Sequence, residues 1–241
     1  YSFVEEAWER DFAGNANPIK LLNPIASQMG VMRSSLIGGL VGTLKYNLAH
    51  KAARVRLFEV GKVFSRDATV NDGELAVQGI SQPVSIAGLA YGNVNEEQWG
   101  APKRAVDFYD AKADIDALIA PLTARYAPAS DHPAFHPGRC AKIIIDGNVA
   151  GYVGEMHPKW IREYDLPHAP IVFEISMRFI EKMPLSAPQV PSKMPVVRRD
   201  IALVVDQNVS VDSLLATLNT AKSEVVRGIS VFDVYVGAGL P

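Results

Sequence analysis

The sequence is poor in several features that mark common classes of protein. Its 241 residues include one cysteine, Cys140, so the chain cannot form an internal disulfide and a disulfide-stapled fold is excluded. No apolar run approaches the roughly 18 residues that a membrane-spanning helix needs, and we expect no secretory leader before the first polar turn. The formal net charge of -2 argues against a protein that coats nucleic acid, so any RNA contact must be local. These absences predict a globular, cytoplasmic protein.

The chain does contain enough apolar material for a sizeable core. Hydrophobic residues make up 48% of the composition. At roughly 100–200 residues per domain, the length allows one large domain with or without a smaller unit. The sequence starts at Tyr1 rather than methionine and stops at Pro241, directly behind an apolar stretch. We therefore expect a piece of a longer protein.

A long helix is predicted at residues 32–48, because apolar residues recur there at every fourth position, as one helix face requires. These residues are Met32, Leu36, Leu40, Leu44 and Leu48. Gly38, Gly39 and Gly42 lie inside this pattern, where each costs about 0.5–1 kcal/mol relative to alanine. Close packing against a neighbour would account for them, so we take the three glycines as a candidate subunit interface.

The middle of the chain alternates strand and helix patterns. The β-prone run at 55–64 is broken by Gly61, which predicts a strand with a bulge or bend at that point. Asp146-Gly147 suits the positive φ angles of a tight hairpin and predicts antiparallel pairing of the strands beside it. Further strands are predicted at 84–91, 142–145, 149–156 and 171–177, with a helix after Asp107. The predicted fold class is α+β with a partly antiparallel sheet.

A cluster of prolines separates a second, smaller unit. Prolines at 184, 188, 191 and 195 crowd a stretch that can neither continue a helix nor pair centrally in a sheet. We predict a first domain at residues 1–183, a linker at 184–194 and a second domain at 195–241. The second domain should contain a strand at 200–205, a helix at 211–222 with Ser210 as N-cap, and a strand at 229–236.

Four stretches of the sequence carry a specific resemblance. The run NPIASQMGVMRSSLIGGLVGTLKYNLAHKAARVRLFEVGKVFSRD, at residues 23–67, resembles the corresponding segment of bacterial phenylalanyl-tRNA synthetase β subunits. Three further stretches resemble the same family in the same order. They are DFYDAKADIDAL from Asp107, FHPGRCA from Phe135 with GYVGEMHP from Gly151, and SKMPVVRRDIALVVD from Ser192. The resemblance spans nearly the whole chain.

The resemblance implies an architecture and a set of partners. Residues 1–183 would form a class II aminoacyl-tRNA synthetase-like domain, an antiparallel sheet with flanking helices. Residues 195–241 would be the first half of a ferredoxin-like anticodon-binding domain, which needs two βαβ halves, so a sheet edge would stay unpaired. The implied partners are a catalytic α subunit, in an α2β2 heterotetramer, and tRNA(Phe). ATP and Mg²⁺ are implied for the α subunit of the whole ligase, with no cofactor bound by this chain.

The resemblance also implies where a catalytic class II sheet would carry its arginines. One would end a strand in a Phe-Arg-x-Glu pattern and grip ATP through its planar guanidinium. Here residues 64–67 are Phe-Ser-Arg-Asp, and the offset turns Arg66 to the opposite face unless a bulge at Gly61 restores the register. The second arginine would follow a glycine-rich strand, but residues 171–177 contain no glycine. We therefore predict no catalytic residue in this chain and no activity without the α subunit.

Two classes of function remain open on the sequence alone. The first is a non-catalytic scaffold that assembles with the α subunit and supports tRNA binding. The second is a stand-alone enzyme on a related sheet, with Glu59, Arg66 and Glu155 as its polar groups. A pocket where these side chains converge would favour the enzyme, whereas an exposed glycine-bearing helix would favour the scaffold.

The histidines and the cysteine do not predict a metal site. His132, His136 and His157 are each followed by proline, and no CxxC motif accompanies Cys140, so the spacing does not fit zinc. We expect His136 and Arg139 to make hydrogen bonds within the loop beside the hairpin. Cys140 leads into an apolar strand, which predicts a buried thiol rather than a nucleophile.

A candidate tRNA contact lies at the entry to the second domain. Lys193, Arg198 and Arg199 stand close together there and suit contact with phosphate. Basic and acidic residues balance from Pro184 onward, so no general basic surface is predicted. The alternative for both arginines is pairing with Asp200 or exposure to solvent, and the sequence leaves the two open.

Overall fold

The computed structural model describes residues 1–181 and 194–236. The chain divides into two compact units, Tyr1–Ser186 and Ala187–Pro241. That division falls inside the predicted linker at 184–194, of which residues 184–193 lie outside the described residues. Among the described residues, no helix has the length and apolar character needed to span a bilayer.

The first unit is built from short and long strands with helices between them. Its strands are β1 (Phe3–Val4), β2 (Val31–Met32), β3 (Val55–Lys62), β4 (Ser65–Arg66), β5 (Ile80–Ser81), β6 (Val84–Tyr91), β7 (Arg125–Pro128), β8 (Phe135–Ile145), β9 (Asn148–Met156) and β10 (Ile171–Ser176). Its helices are α1 (Glu6–Trp8), α2 (Ile37–Ala49), α3 (Phe108–Ile119) and α4 (Pro158–Glu163). A π-helical turn at Glu9–Ala13 follows α1, and a 3-10 turn at Met177–Phe179 follows β10.

A six-stranded antiparallel sheet is the centre of this unit, in the order β3-β6-β10-β9-β8-β7. Every neighbouring pair in it is antiparallel, as the hairpin signal predicted. The turn between β8 and β9 is the predicted one, with φ of 49° at Asp146 and 77° at Gly147. Two separate two-stranded ribbons, β1-β2 and β4-β5, complete the pairing.

The sheet is covered on both faces, and each face has its own core. We call the face that carries Leu89 and Val172 the first face; it packs with Phe12 and α2. The second face carries Ile143 and Ile175 and packs against α3. Because successive side chains of a strand alternate between faces, the central strand β6 shows the covering directly: Ser85 to Tyr91 are all buried.

Helix α3 begins where the sequence predicts it. Asp107 is its N-cap and accepts hydrogen bonds from the backbone N–H of Tyr109 at 2.8 Å and of Asp110 at 3.2 Å, which satisfies amides of the first turn. Ile115 and Ile119 are fully buried on the second face. The helix ends at Ile119.

Helix α2 is shorter than predicted. It begins at Ile37, because Met32 belongs to β2 and pairs with Phe3 of β1. Residues 33–36 then form a turn whose polar groups bind carboxylates elsewhere in the unit. Strand pairing and these contacts therefore override the fourfold apolar pattern at its first turn.

The predicted bulge at Gly61 is wrong. The pairing of β3 with β6 runs without a register shift from Val55 opposite Tyr91 to Lys62 opposite Val84. A Cβ at Gly61 would collide with the guanidinium of Arg33. The glycine is therefore explained by the close approach of the Arg33 side chain and not by a bulge in the strand.

The second unit contains one helix in its described part, α5 (Val211–Ala221). Ser210 caps it by accepting a hydrogen bond from the backbone N–H of Ser213 at 3.2 Å, as predicted. The strands predicted at 200–205 and 229–236 do not form as hydrogen-bonded strands within residues 194–236. The resemblance to a ferredoxin-like domain implies that another strand lies between these two segments, so they would not pair with each other.

Candidate functional site

The polar centre of the first unit is a turn, Arg33 to Leu36, that lies over the first face of the sheet. Arg33 opens this turn and is only 7% exposed. Its guanidinium forms an ion pair with Glu59 of β3. It also donates to the backbone oxygens of Lys62 at 3.0 Å and of Tyr1 at 3.2 Å. Arg33 thus ties the start of the chain to the end of β3.

Ser34 binds the second carboxylate, Glu9, which is 2% exposed. The backbone N–H of Ser34 donates to one oxygen of Glu9 at 2.8 Å, and the Ser34 hydroxyl donates to the other. Asn15 donates from its side-chain amide to that second oxygen at 2.9 Å. A buried carboxylate with three donors is well satisfied, so Glu9 serves to hold the turn.

Ser35 and Leu36 bind the third carboxylate, Glu174, on the central strand β10. The Ser35 hydroxyl donates to Glu174 at 2.6 Å and the backbone N–H of Leu36 donates at 3.1 Å. Burial raises the pKa of Glu174 to about 7, while the bonds from Ser35 and Leu36 and the charge of Arg33 act to lower it. Glu174 therefore anchors the entry to α2 on the middle of the sheet.

These contacts leave the sheet centre without free reactive groups. Glu9, Glu59 and Glu174 are each bound by residues of the same chain. Among the described residues, no buried side-chain nitrogen or oxygen lacks a hydrogen-bond partner. The arrangement can fix the position of α2 on the sheet, and it presents no unpaired acid or base to a substrate.

The groups of the alternative enzyme do not converge. Glu59, Ala87, Glu174 and Tyr152 lie opposite one another across four strands, so they share the first face. Glu155 is three residues from Tyr152 and therefore points to the second face, with roughly 14 Å of sheet between it and Glu59. It is bound there by Arg139 at 2.8 Å.

Arg66 lies outside the six-stranded sheet. The chain leaves the sheet after Lys62, and Ser65 and Arg66 form β4, which pairs with Ile80 and Ser81 of β5. The prediction that Arg66 lies on the sheet strand, one residue out of register with the expected arginine, is therefore wrong. Both Ser65 and Arg66 are exposed, away from the carboxylates of the first face.

The three glycines of the predicted interface pack within the chain. A Cβ at Gly38 would lie 2.8 Å from Cε3 of Trp8, and one at Gly42 would lie 2.9 Å from Cη2 of the same ring. At Gly39 the nearest atom would be Oε2 of Glu59, at 3.5 Å. Trp8 accounts for two of the glycines, and the assignment of all three to a subunit interface stays a prediction.

The candidate zinc ligands have other partners. The His132 ring packs against Phe135 and Tyr152, and burial lowers its pKa to about 4. Cys140 is 8% exposed and burial raises the pKa of its thiol to about 12, which confirms the buried thiol. Nδ1 of His136 accepts from the N–H of Gly138 at 2.9 Å. No group of three His, Cys, Asp or Glu side chains suited to a metal ion occurs among residues 1–181 and 194–236.

The predicted tRNA contacts of the second unit are exposed where they are described. Arg198 lies 3.5 Å from Asp200 and 5.4 Å from the centre of the Phe232 ring. Arg199 donates to the backbone oxygen of Arg198 at 3.4 Å. Lys193 lies outside the described residues. Local pairing thus occurs for Arg198, and tRNA contact by these residues stays a prediction.

Sequence reasoning missed the carboxylates that organise the turn. Glu174 was detectable, because a carboxylate in the apolar run Ile-Val-Phe-Glu-Ile needs a buried partner. Two serines directly after Arg33 offered the matching donors. For Glu9, 25 residues away from Ser34, the sequence carries no comparable signal.

Comparison with known proteins finds relatives for both parts of the chain. The family model described as "Phenylalanyl tRNA synthetase beta chain CLM domain" matches residues 1–177, and the "Ferredoxin-fold anticodon binding domain" model matches residues 192–241. A phenylalanine–tRNA ligase beta subunit from Burkholderia pseudomallei is 52% identical over 237 residues, 97% of this chain and 29% of that protein. The corresponding subunit from Cupriavidus pinatubonensis is 55% identical over 221 residues, 92% of this chain and 27% of that protein. The chain thus spans less than a third of these relatives, and it belongs to the phenylalanyl-tRNA synthetase β chain family.

Proposed function

We propose that this chain is a non-catalytic part of a phenylalanine–tRNA ligase β subunit, which assembles with a catalytic α subunit and supports tRNA(Phe) binding. On this proposal the six-stranded sheet is a class II synthetase-like sheet that has lost its substrate surface. ATP and Mg²⁺ act in the α subunit, within an α2β2 assembly.

The observation that carries the proposal is the covering of β6 and β10. Ser85 to Tyr91 of β6 are buried on both faces, and Val172 and Ile175 of β10 are fully buried on opposite faces. A sheet that activates an amino acid needs an open face where ATP and the amino acid meet arginine side chains. Here Phe12 and α2 cover one face of these two central strands and α3 covers the other.

The edge strand β3 offers a surface for the α subunit. Phe58 and Val60 project from its second face and are 78% and 50% exposed. Helix α3 packs on β9 and β10 and leaves these side chains open. Exposed aromatic and aliphatic groups on an edge strand are typical of protein contacts, and a strand edge can also pair with another chain. This surface replaces the glycine face of α2, which Trp8 covers in part, as the preferred contact.

Co-expression with the α chain of the same organism tests the proposal. Full-length β subunit should co-elute with α on size exclusion and give phenylalanylation of tRNA(Phe), which neither chain gives alone. Phe58→Ala should weaken co-elution, whereas Tyr109→Ala, an aromatic on α3 that is 74% exposed, should leave it unchanged. Failure of the wild-type chains to associate would contradict the proposed function.

Nucleotide binding separates the scaffold from the stand-alone enzyme. The 241-residue chain should show no detectable ATP binding at millimolar nucleotide in isothermal titration. Submillimolar binding that Arg66→Ala abolishes would instead favour the enzyme.

A further inference from the structure

Two of the sequence stretches that resemble the family meet at one end of the β8–β9 pair. Phe135 lies opposite Met156 and Cys140 lies opposite Gly154, so residues 136–139 of β8 stand against the single residue Glu155. This extra length is a large β-bulge, a device that redirects side chains out of a sheet. It places His136 and Arg139 at the end of the sheet where β9 stops, and His157 directly follows β9. We call the resulting surface the His-Pro cluster; its members are His136, Arg139, Glu155, His157, Lys159 and Arg162.

The two histidines of the His-Pro cluster present donors to solvent. Nδ1 of His136 accepts from the backbone N–H of Gly138 at 2.9 Å, and Nδ1 of His157 accepts from that of Lys159 at 3.0 Å. A neutral imidazole whose Nδ1 accepts carries its proton on Nε2. Each ring is half-buried, so it is held in place while its Nε2–H stays available as a hydrogen-bond donor.

The cations Lys159 and Arg162 of the cluster are exposed, and Lys159 packs on a buried ring. Nζ of Lys159 lies 4.2 Å from the centre of the Trp160 ring, and the indole N–H of Trp160 donates to the backbone oxygen of Pro133 at 2.7 Å. Lys159 and Arg162 have no ion-pair partner among residues 1–181 and 194–236. Two exposed positive charges without an ion-pair partner attract an anion.

Positive charge predominates in the His-Pro cluster. Arg139 binds both oxygens of Glu155 through Nη1, at 3.0 and 2.8 Å, which neutralises the cluster's one carboxylate and leaves Nε and Nη2 free. Burial lowers the pKa of His157, and the charges of His136, Lys159 and Arg162 lower it further. These groups therefore lie close enough to interact electrostatically.

We propose that the His-Pro cluster binds the phosphodiester backbone of an RNA strand, and that in the proposed function this strand belongs to tRNA(Phe). Imidazole Nε2–H, ammonium and guanidinium groups are donors suited to phosphate oxygens, and they position an RNA without reading its bases. The one tryptophan beside the cluster, Trp160, is buried, so the exposed groups are mainly charged, which favours backbone over base contact. The site is separate in sequence from the anticodon-binding match at 192–241 and would be an additional contact of the first unit.

The test uses the co-purified assembly of α and full-length β, since the inference rests on the proposed function. Lys159→Ala/Arg162→Ala removes two exposed charges of the cluster. Lys103→Ala/Arg125→Ala is the matched control, because it removes one exposed lysine and one exposed arginine that also have no ion pair within the described residues. Arg125 lies opposite Ile144, toward the other end of β8.

Affinity for labelled tRNA(Phe) is measured against salt concentration. The cluster variant should bind about 10-fold more weakly near ~0.1 M salt, and its plot of log affinity against log salt should be shallower by about one to two units. The control should match the wild type in both. Wild-type affinity and slope in the cluster variant would overturn the inference and leave the proposed function standing. Loss of co-elution with α in that variant would assign the cluster to a protein contact and also overturn it, whereas a wild-type assembly without tRNA binding would overturn both.

Discussion

Gly38 and Gly39 of α2 are neighbours in sequence, yet alanine should act on them with opposite sign. A Cβ at Gly38 would meet three atoms of Trp8 at 2.8 to 3.0 Å, and two of these belong to the ring system. At Gly39 the nearest contact would be an ordinary 3.5 Å, to the carboxylate of Glu59. Both substitutions gain about 0.5–1 kcal/mol from helix propensity, so that gain cancels in the comparison.

The difference between the two variants should equal the cost of overpacking. Forcing a methyl group into a close-packed contact costs about 1–3 kcal/mol. Gly39→Ala should therefore raise the free energy of unfolding by about 0.5–1 kcal/mol, and Gly38→Ala should lower it by about 1–2 kcal/mol. Urea unfolding of the 241-residue chain, followed by circular dichroism, gives both values from midpoints at constant slope.

Removal of Trp8 provides the control for this comparison. In a Trp8→Ala background the overpacking term disappears, so Gly38→Ala and Gly39→Ala should differ by less than about 0.5 kcal/mol. Equal stability of the two variants in the wild-type background would refute the reasoning, because the glycines would then owe nothing to Trp8. That result would favour the prediction that Gly38 and Gly42 belong to a subunit interface.

Three further measurements test the polar centre and the core. The pKa of Glu174 rises from its ordinary 4.5 to about 7 in the folded chain, so the folded state is stabilised by proton binding at this group. This contribution to the free energy of unfolding is fully present below pH 4.5, is lost as pH rises through 7, and amounts to about 3 kcal/mol. Glu174→Gln should remove this pH dependence from a series of urea midpoints. Arg33→Met should lower the free energy of unfolding by about 3 kcal/mol, since it leaves Glu59 and two backbone oxygens without their donor, and Glu59→Gln in that background should recover part of the loss. Cys140 should react with a thiol reagent at pH 8 only as the chain unfolds, because burial raises its pKa to about 12, and rapid labelling of the folded chain would contradict this.

The sequence predicted those parts of the fold whose cause is local. The start of α3 follows from Asp107, which bonds amides two and three residues away, and the β8–β9 hairpin follows from the Asp146-Gly147 pair. Strand β6 has the predicted bounds, Val84–Tyr91, because a continuous apolar run suits a strand covered on both faces. Helix α5 and its cap are likewise set by neighbouring residues.

The parts that sequence reasoning missed depend on contacts between distant residues. The first turn predicted for α2 is absent because Met32 pairs with Phe3. Gly61 accommodates the side chain of Arg33, which lies 28 residues earlier in the sequence, and does not form a bulge. The polar centre joins Ser35 to Glu174, 139 residues apart, and no periodicity of either segment indicates the other. The sequence shows that serine, and not arginine, stands at position 65. It does not indicate that the chain leaves the six-stranded sheet after Lys62.

In the proposed function, the first unit is a covered, non-catalytic sheet whose partner performs amino acid activation. Phenylalanine-dependent exchange of pyrophosphate into ATP measures activation without requiring tRNA. The 241-residue chain alone should give no exchange above background, and the assembly of α with full-length β should give the same exchange rate with wild-type β and with Arg66→Ala. Exchange by the chain alone, or its loss from the assembly on Arg66→Ala, would contradict the claim.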